Sequence, residues 1–105
     1  MLKAVFKKEN GKFCICSVKG HAGYADNGQD VVCAAVSSAV QLTANLITET
    51  LHEPAEVSVR ADMVTIRLKK ECTVIAASVI EALYIHLQYI SEDFPGTIQF
   101  EISEV

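Results

Sequence analysis

Apolar and polar positions alternate twice near the start of the chain. Leu2, Ala4 and Phe6 are interleaved with Lys3, Val5 and Lys7, and Phe13, Ile15 and Ser17 with Cys14, Cys16 and Val18, which predicts strands over 2–8 and 12–19. Glu9-Asn10-Gly11 lies between them, an Asn-Gly hairpin signal suited to positive φ angles. Residues 20–30 carry no period and read as a long loop. Over 31–51, Val32, Val36, Ala39, Thr43, Leu46, Ile47 and Thr50 recur at helical spacing, with Asp30 as the expected N-cap. His52-Glu53-Pro54 stops that helix, with His52 as a C-terminal residue favourable to the helix dipole. Strands over 57–60 and 64–68 follow, joined by a turn at Ala61-Asp62. A second helix over 73–91 sets Val74, Ile75, Val79, Ala82, Leu83, His86, Leu87 and Ile90 along one stripe, so His86 reads as a core or interface histidine. Asp93-Phe94-Pro95-Gly96 ends it, and Ile98, Phe100 and Ile102 alternate in a last strand. The order ββαββαβ predicts an α+β fold in which a mostly antiparallel sheet is packed with two helices, as one domain over 1–105. So small a chain leaves a helix face or sheet edge uncovered, which predicts a homodimer.

Composition narrows the function classes. Of 105 residues half are apolar and 21% charged, while Gly and Pro number only 5 and 2, a globular balance. Nine basic against thirteen acidic residues give net −4, which argues against direct nucleic-acid binding or attachment to an anionic membrane. Lys3, Lys7 and Lys8 interrupt the first apolar residues before a signal-peptide core forms, and no uninterrupted apolar run approaches the ~20 residues of a membrane span. A cytoplasmic location is expected, where four cysteines remain reduced.

Cys33 is the thiol with distinctive surroundings. Behind an N-cap at Asp30 it falls in the first helical turn, where unpaired amides and the dipole favour thiolate. His21 ends the preceding strand, twelve positions earlier, and a strand end and the next helix start often share one rim of a sheet. A thiolate with an imidazole base is the minimal apparatus for acyl transfer. Ser37 lies one turn along, amides at Cys33 and Ala34 are candidate oxyanion donors, and Gly20, Gly23 and Gly28 make the loop a candidate mobile cover. Each residue also has a plain structural reading: Cys33 as packing, Asp30 as a cap, Ser37 as a helix contact, the glycines as turns. Cys14, Cys16 and Cys72 lack the turn spacing and fourth ligand of a metal site and read as packing, so no metal or cofactor is expected. Gly20-His21-Ala22-Gly23 also has the G-x-x-G form of RNA-binding KH loops, which leaves a non-catalytic ribosome- or RNA-associated module as an alternative.

Gly20-His21-Ala22 followed by Asp30-Val31-Val32-Cys33-Ala34-Ala35-Val36-Ser37 resembles the bacterial ribosomal-processing cysteine protease family, Prp. Length, element order and acidic balance agree over essentially the whole chain. The resemblance implies a cytoplasmic, homodimeric endopeptidase that removes an N-terminal extension from protein number twenty-seven of the large ribosomal subunit. It also implies His21 as general base, Cys33 as nucleophile, Asp30 and Ser37 in support, and a covering loop that moves when substrate binds.

Overall fold

The Asn10-Gly11 turn forms as its chemistry requires, with φ of 54° and 78° at the two positions. It joins β1 (Leu2–Glu9) to β2 (Lys12–Lys19). The computed structural model describes residues 1–20 and 27–104. Beyond the hairpin come α1 (Asn27–Asn45), a π-helical segment (Leu46–Thr50), β3 (Ala55–Arg60), β4 (Met63–Leu68), α2 (Val74–Asp93) and β5 (Ile98–Glu104). The strands make one sheet in the order β3-β4-β2-β1-β5. Every neighbouring pair is antiparallel except β1 with β5, which run parallel after α2 has carried the chain from β4 across the sheet. The expected ββαββαβ order and α+β class therefore hold.

One prediction about the hairpin fails for an identifiable reason. Lys7 pairs with Ile15 but Lys8 with Phe13, so Cys14 is an extra residue in a β-bulge, its Sγ donating to Lys7 O at 3.4 Å. The bulge shifts the alternation by one. Phe13 then joins Cys16 and Val18 in the core, and Cys14 and Cys16 do not share a face as strict alternation predicts.

One sheet face carries both helices. Leu2, Ala4, Phe6, Cys16, Val18, Ile66 and Ile98 from the strands meet Val32, Val36, Val40 and Ile47 from the first helical stretch and Ile80, Leu83, Leu87 and Ile90 from α2. Each large side chain removed from water there contributes about 1.5–3 kcal/mol. Tyr84 locks α2 onto the sheet through ring contacts with Phe6 at 5.1 Å, Phe13 at 5.6 Å and Phe100 at 5.9 Å. Both helices have the length and mean hydropathy of a membrane span although no apolar run announces one, yet each supplies core side chains to this sheet.

Thr43 Oγ1 and Thr48 Oγ1 donate to the carbonyls of Ala39 and Ala44, four residues back, a habit that bends helices. Beyond Asn45 the ladder slips to five-residue spacing, with Leu51 N–H on Leu46 O at 2.9 Å. His52 then adopts φ 54° and Glu53 N–H closes on Ile47 O, which ends the helix where the sequence predicts. The stripe of α2 is rotated from its predicted position. Ala76, Ala77, Ile80, Leu83, Leu87 and Ile90 are buried, whereas Val74, Ile75, Ala82 and His86 are exposed, so His86 is not a core histidine.

Candidate active site

α1 positions the cysteine. Val32 and Val36 are pinned in the core, which holds the intervening Cys33 half-buried at the edge of the apolar face and packed against it. Ser37 follows one turn later and is exposed, as is Ala34. The sequence thus places a thiol and a hydroxyl along one helical edge between core and solvent.

The start of this helix differs from expectation. α1 begins at Asn27, so Gly28 and Asp30 lie inside its first turn instead of in a loop and at an N-cap. Asn27 and Asp30 both have cap chemistry, and the glycine between them masks the helical period, so the sequence does not show that the helix is already formed at Asn27. Cys33 consequently occupies the second turn. Its amide and that of Ala34 fall in the hydrogen-bonding ladder, opposite the carbonyls of residues 29 and 30, so they are not among the unpaired amides.

His21 and Gly23 lie outside the described residues. Gly20, immediately before His21, is firmly placed. Its N–H donates to Asp62 O at 3.1 Å, and its φ of 142° belongs to glycine alone. A Cβ there would sit 2.9 Å from Leu2 Cα and 2.8 Å from Leu2 Cδ2. Gly20 therefore serves close backbone approach and anchoring, not loop motion.

The other thiols have different surroundings. Cys16 is fully buried, which pushes its thiol up to about 12. Burial, reinforced by Glu9, raises Cys14; burial also raises Cys72, whose Sγ donates to Pro54 O at 2.8 Å. Near neutral pH all three resist ionisation, which makes them poor nucleophiles. Among the described residues no group of three or more His, Cys, Asp or Glu is arranged to hold a metal ion. A cavity of about 620 Å³ opens at the hairpin end of β2, lined by Cys14, Cys72, Lys12 and Lys70 among others. It lies at the opposite end of β2 from Gly20, and Glu53 Oε1 there already accepts the Thr73 N–H that opens α2.

Two helices on one face of a five-stranded mixed sheet, with a half-buried cysteine on the first helix, define the class: a small two-layer α+β protein with a thiol at the edge of its core. The family described as cysteine protease Prp matches residues 1–99, and the chain belongs to that family of cysteine proteases. Three solved structures share the fold. SMU.848 from Streptococcus mutans is 22% identical with a TM-score of 0.86, over 100% of this chain and 96% of that one. The ribosomal processing protease Prp from S. aureus in complex with a substrate peptide is 21% identical with a TM-score of 0.88, and the same protease with a covalently linked product peptide 22% and 0.84. Each of the two covers 97% of this chain and 99% of its own. No curated protein matches the chain.

Proposed function

We propose that the protein is a cytoplasmic endopeptidase that removes the N-terminal extension of large-subunit ribosomal protein number twenty-seven, with Cys33 as nucleophile and His21 as general base. The observation that carries this reading is the family match, which runs through both halves of the motif, Gly20-His21-Ala22 and the segment from Asp30 to Ser37. The S. aureus relative is described as a ribosomal processing protease and holds a product peptide covalently, which supports a covalent route. The raised thiols of Cys14, Cys16 and Cys72 leave Cys33 as the better candidate.

In this mechanism His21 takes the Cys33 proton and the thiolate attacks the scissile carbonyl carbon, giving a tetrahedral oxyanion. The C–N bond breaks as His21 returns its proton to the leaving amine, and water then hydrolyses the thioester. Amides at Cys33 and Ala34 can stabilise the oxyanion only once the first turn of α1 unwinds and releases them. Peptide binding and opening of 27–30 are therefore linked, with Asp30 and Ser37 in support and the segment bearing Gly23 and Gly28 closing over the peptide.

The same reading makes the protein a homodimer. Ile75, Ala82, Ile85 and Tyr89 form an exposed apolar stripe on the side of α2 away from the sheet, which suits a twofold contact. Mass spectrometry of a precursor peptide incubated with wild type, Cys33→Ala and His21→Ala tests the chemistry. Cleavage is expected from wild type alone, with Cys14→Ala, Cys16→Ala and Cys72→Ala still active. Cutting by purified Cys33→Ala at the wild-type rate would overturn the assignment.

A further inference from the structure

We infer that the helix-free face of the sheet is a docking surface for the phosphate backbone of RNA. Strand pairing arranges this face in three rows across β5, β1, β2, β4 and β3. The first runs Gln99, Lys3, Lys19, Met63, Arg60; the second Glu101, Val5, Ser17, Thr65, Ser58; the third Ser103, Lys7, Ile15, Arg67, Glu56. These rows hold five of the chain's nine cations and two of its thirteen carboxylates, net +3 on a chain of net −4, and one pair beyond them, at the hairpin end, Glu9 stands opposite Lys12. Both carboxylates of the rows are on the edge strands. Within these rows the three central strands carry Lys3, Lys7, Lys19 and Arg67, all exposed, and no acid.

Three observations favour RNA. Lys3 and Lys19 stand directly opposite each other, a like-charged pairing that opposes folding and that an anionic partner would relieve. The one ion pair among the described residues is Lys3 with Glu101 at 3.7 Å; Arg67 has Glu56 across the strand without a closed ion pair, and Lys7 and Lys19 have no carboxylate opposite them. The face has no aromatic residue, and its aliphatic side chains Val5, Ile15 and Met63 are half-buried, so it lacks the anchors of a protein interface. Lys and Arg among Ser and Thr hydroxyls are instead the usual phosphate and sugar contacts. The cation rows lie about 13 Å apart along the strands, and Ser17 Oγ and Thr65 Oγ1, 3.2 Å from each other, stand between them with hydroxyls able to meet a 2′-OH. A second copy of the chain is disfavoured, because two such cationic centres repel.

Net charge argued against nucleic acid because it sums over a molecule that the fold sorts by sign. The phosphate site stands on this sorting alone, while the choice of RNA also rests on the ribosomal-processing reading. Since binding is read without cleavage, its failure would leave the protease assignment untouched.

The test is fluorescence anisotropy of a labelled, mixed-sequence 20-nucleotide single-stranded RNA with the full chain between 25 and 200 mM salt. Four phosphate contacts give an expected slope of log K against log salt of about −3. Lys7→Glu/Arg67→Glu should weaken binding at least tenfold at 50 mM salt and flatten the slope. Lys69→Glu/Lys70→Glu, the same charge change at the hairpin-end cavity, should stay within twofold. Circular dichroism checks folding, and Lys7→Gln/Arg67→Gln replaces the reversal pair if that pair fails to fold. Equal loss from the two sites, equal competition by polyglutamate, or equal binding of DNA of the same sequence would each overturn the proposal.

Discussion

At the scale of single residues, the chemistry turns on which atoms the backbone can bring close. Gly20 leaves no room for a methyl group beside Leu2 and holds a φ that side chains avoid. Gly20→Ala is expected to cost about 1–3 kcal/mol in urea denaturation and to lower kcat by displacing His21. Cys16 makes a pH-dependent contribution. Its folded thiol is pushed up to about 12 from the ordinary 9.0, so the stability it contributes is intact below pH 9 and is lost as pH rises from 9 towards 12. Over that window the urea midpoint of wild type should fall more steeply than that of Cys16→Val. The motif singles out Cys33 in the sequence, and the structure sets it half-buried at the edge of the core. The sequence does not reveal that Cys14 is a bulged residue, because alternation carries no mark of where a strand inserts one extra position.

At the scale of elements, the hairpins were readable and the helix faces less so. Asn10-Gly11 announced its turn. Ala61-Asp62 marked a turn without showing that Ala61 must take φ 50°, a left-handed conformation that a Cβ opposes. Ala61→Gly should therefore raise stability by about 1 kcal/mol, measured as an upward shift in Tm. The buried stripe of α2 lies roughly one residue's rotation, about 100°, from the one the periodicity predicts, because apolar residues occur nearly all round this helix and periodicity alone cannot choose a side. Tertiary contacts choose: Tyr84 enters the cluster of Phe6, Phe13 and Phe100, and Ile75 and Tyr89 turn outward. The first turn of α1 reads as loop in the sequence for the opposite reason, since its polar residues show no period at all.

For the whole molecule, what matters is which surfaces the two-layer arrangement leaves uncovered. α2 exposes Ile75 at 60% and Tyr89 at 63% on the side away from the sheet. Ile85→Glu is expected to convert a dimer into a monomer in light scattering while circular dichroism stays unchanged; a monomeric wild type would remove the dimer from the proposed function. Length and element order were enough to suggest the two layers. The separation of charge between the two faces of the sheet was not visible until strand register placed Lys3, Lys7, Lys19 and Arg67 together.

The parallel pairing of β1 with β5 has a consequence for synthesis. β1 is the first strand made and β5 the last, yet they lie side by side. Until residues 98–104 emerge, β1 presents an open edge with Leu2, Ala4 and Phe6 beside it, the kind of edge on which another chain can template. Native closure is thus deferred until β5 has been made, and a nascent chain stalled before Ile98 is the form most exposed to aggregation and to capture by chaperones.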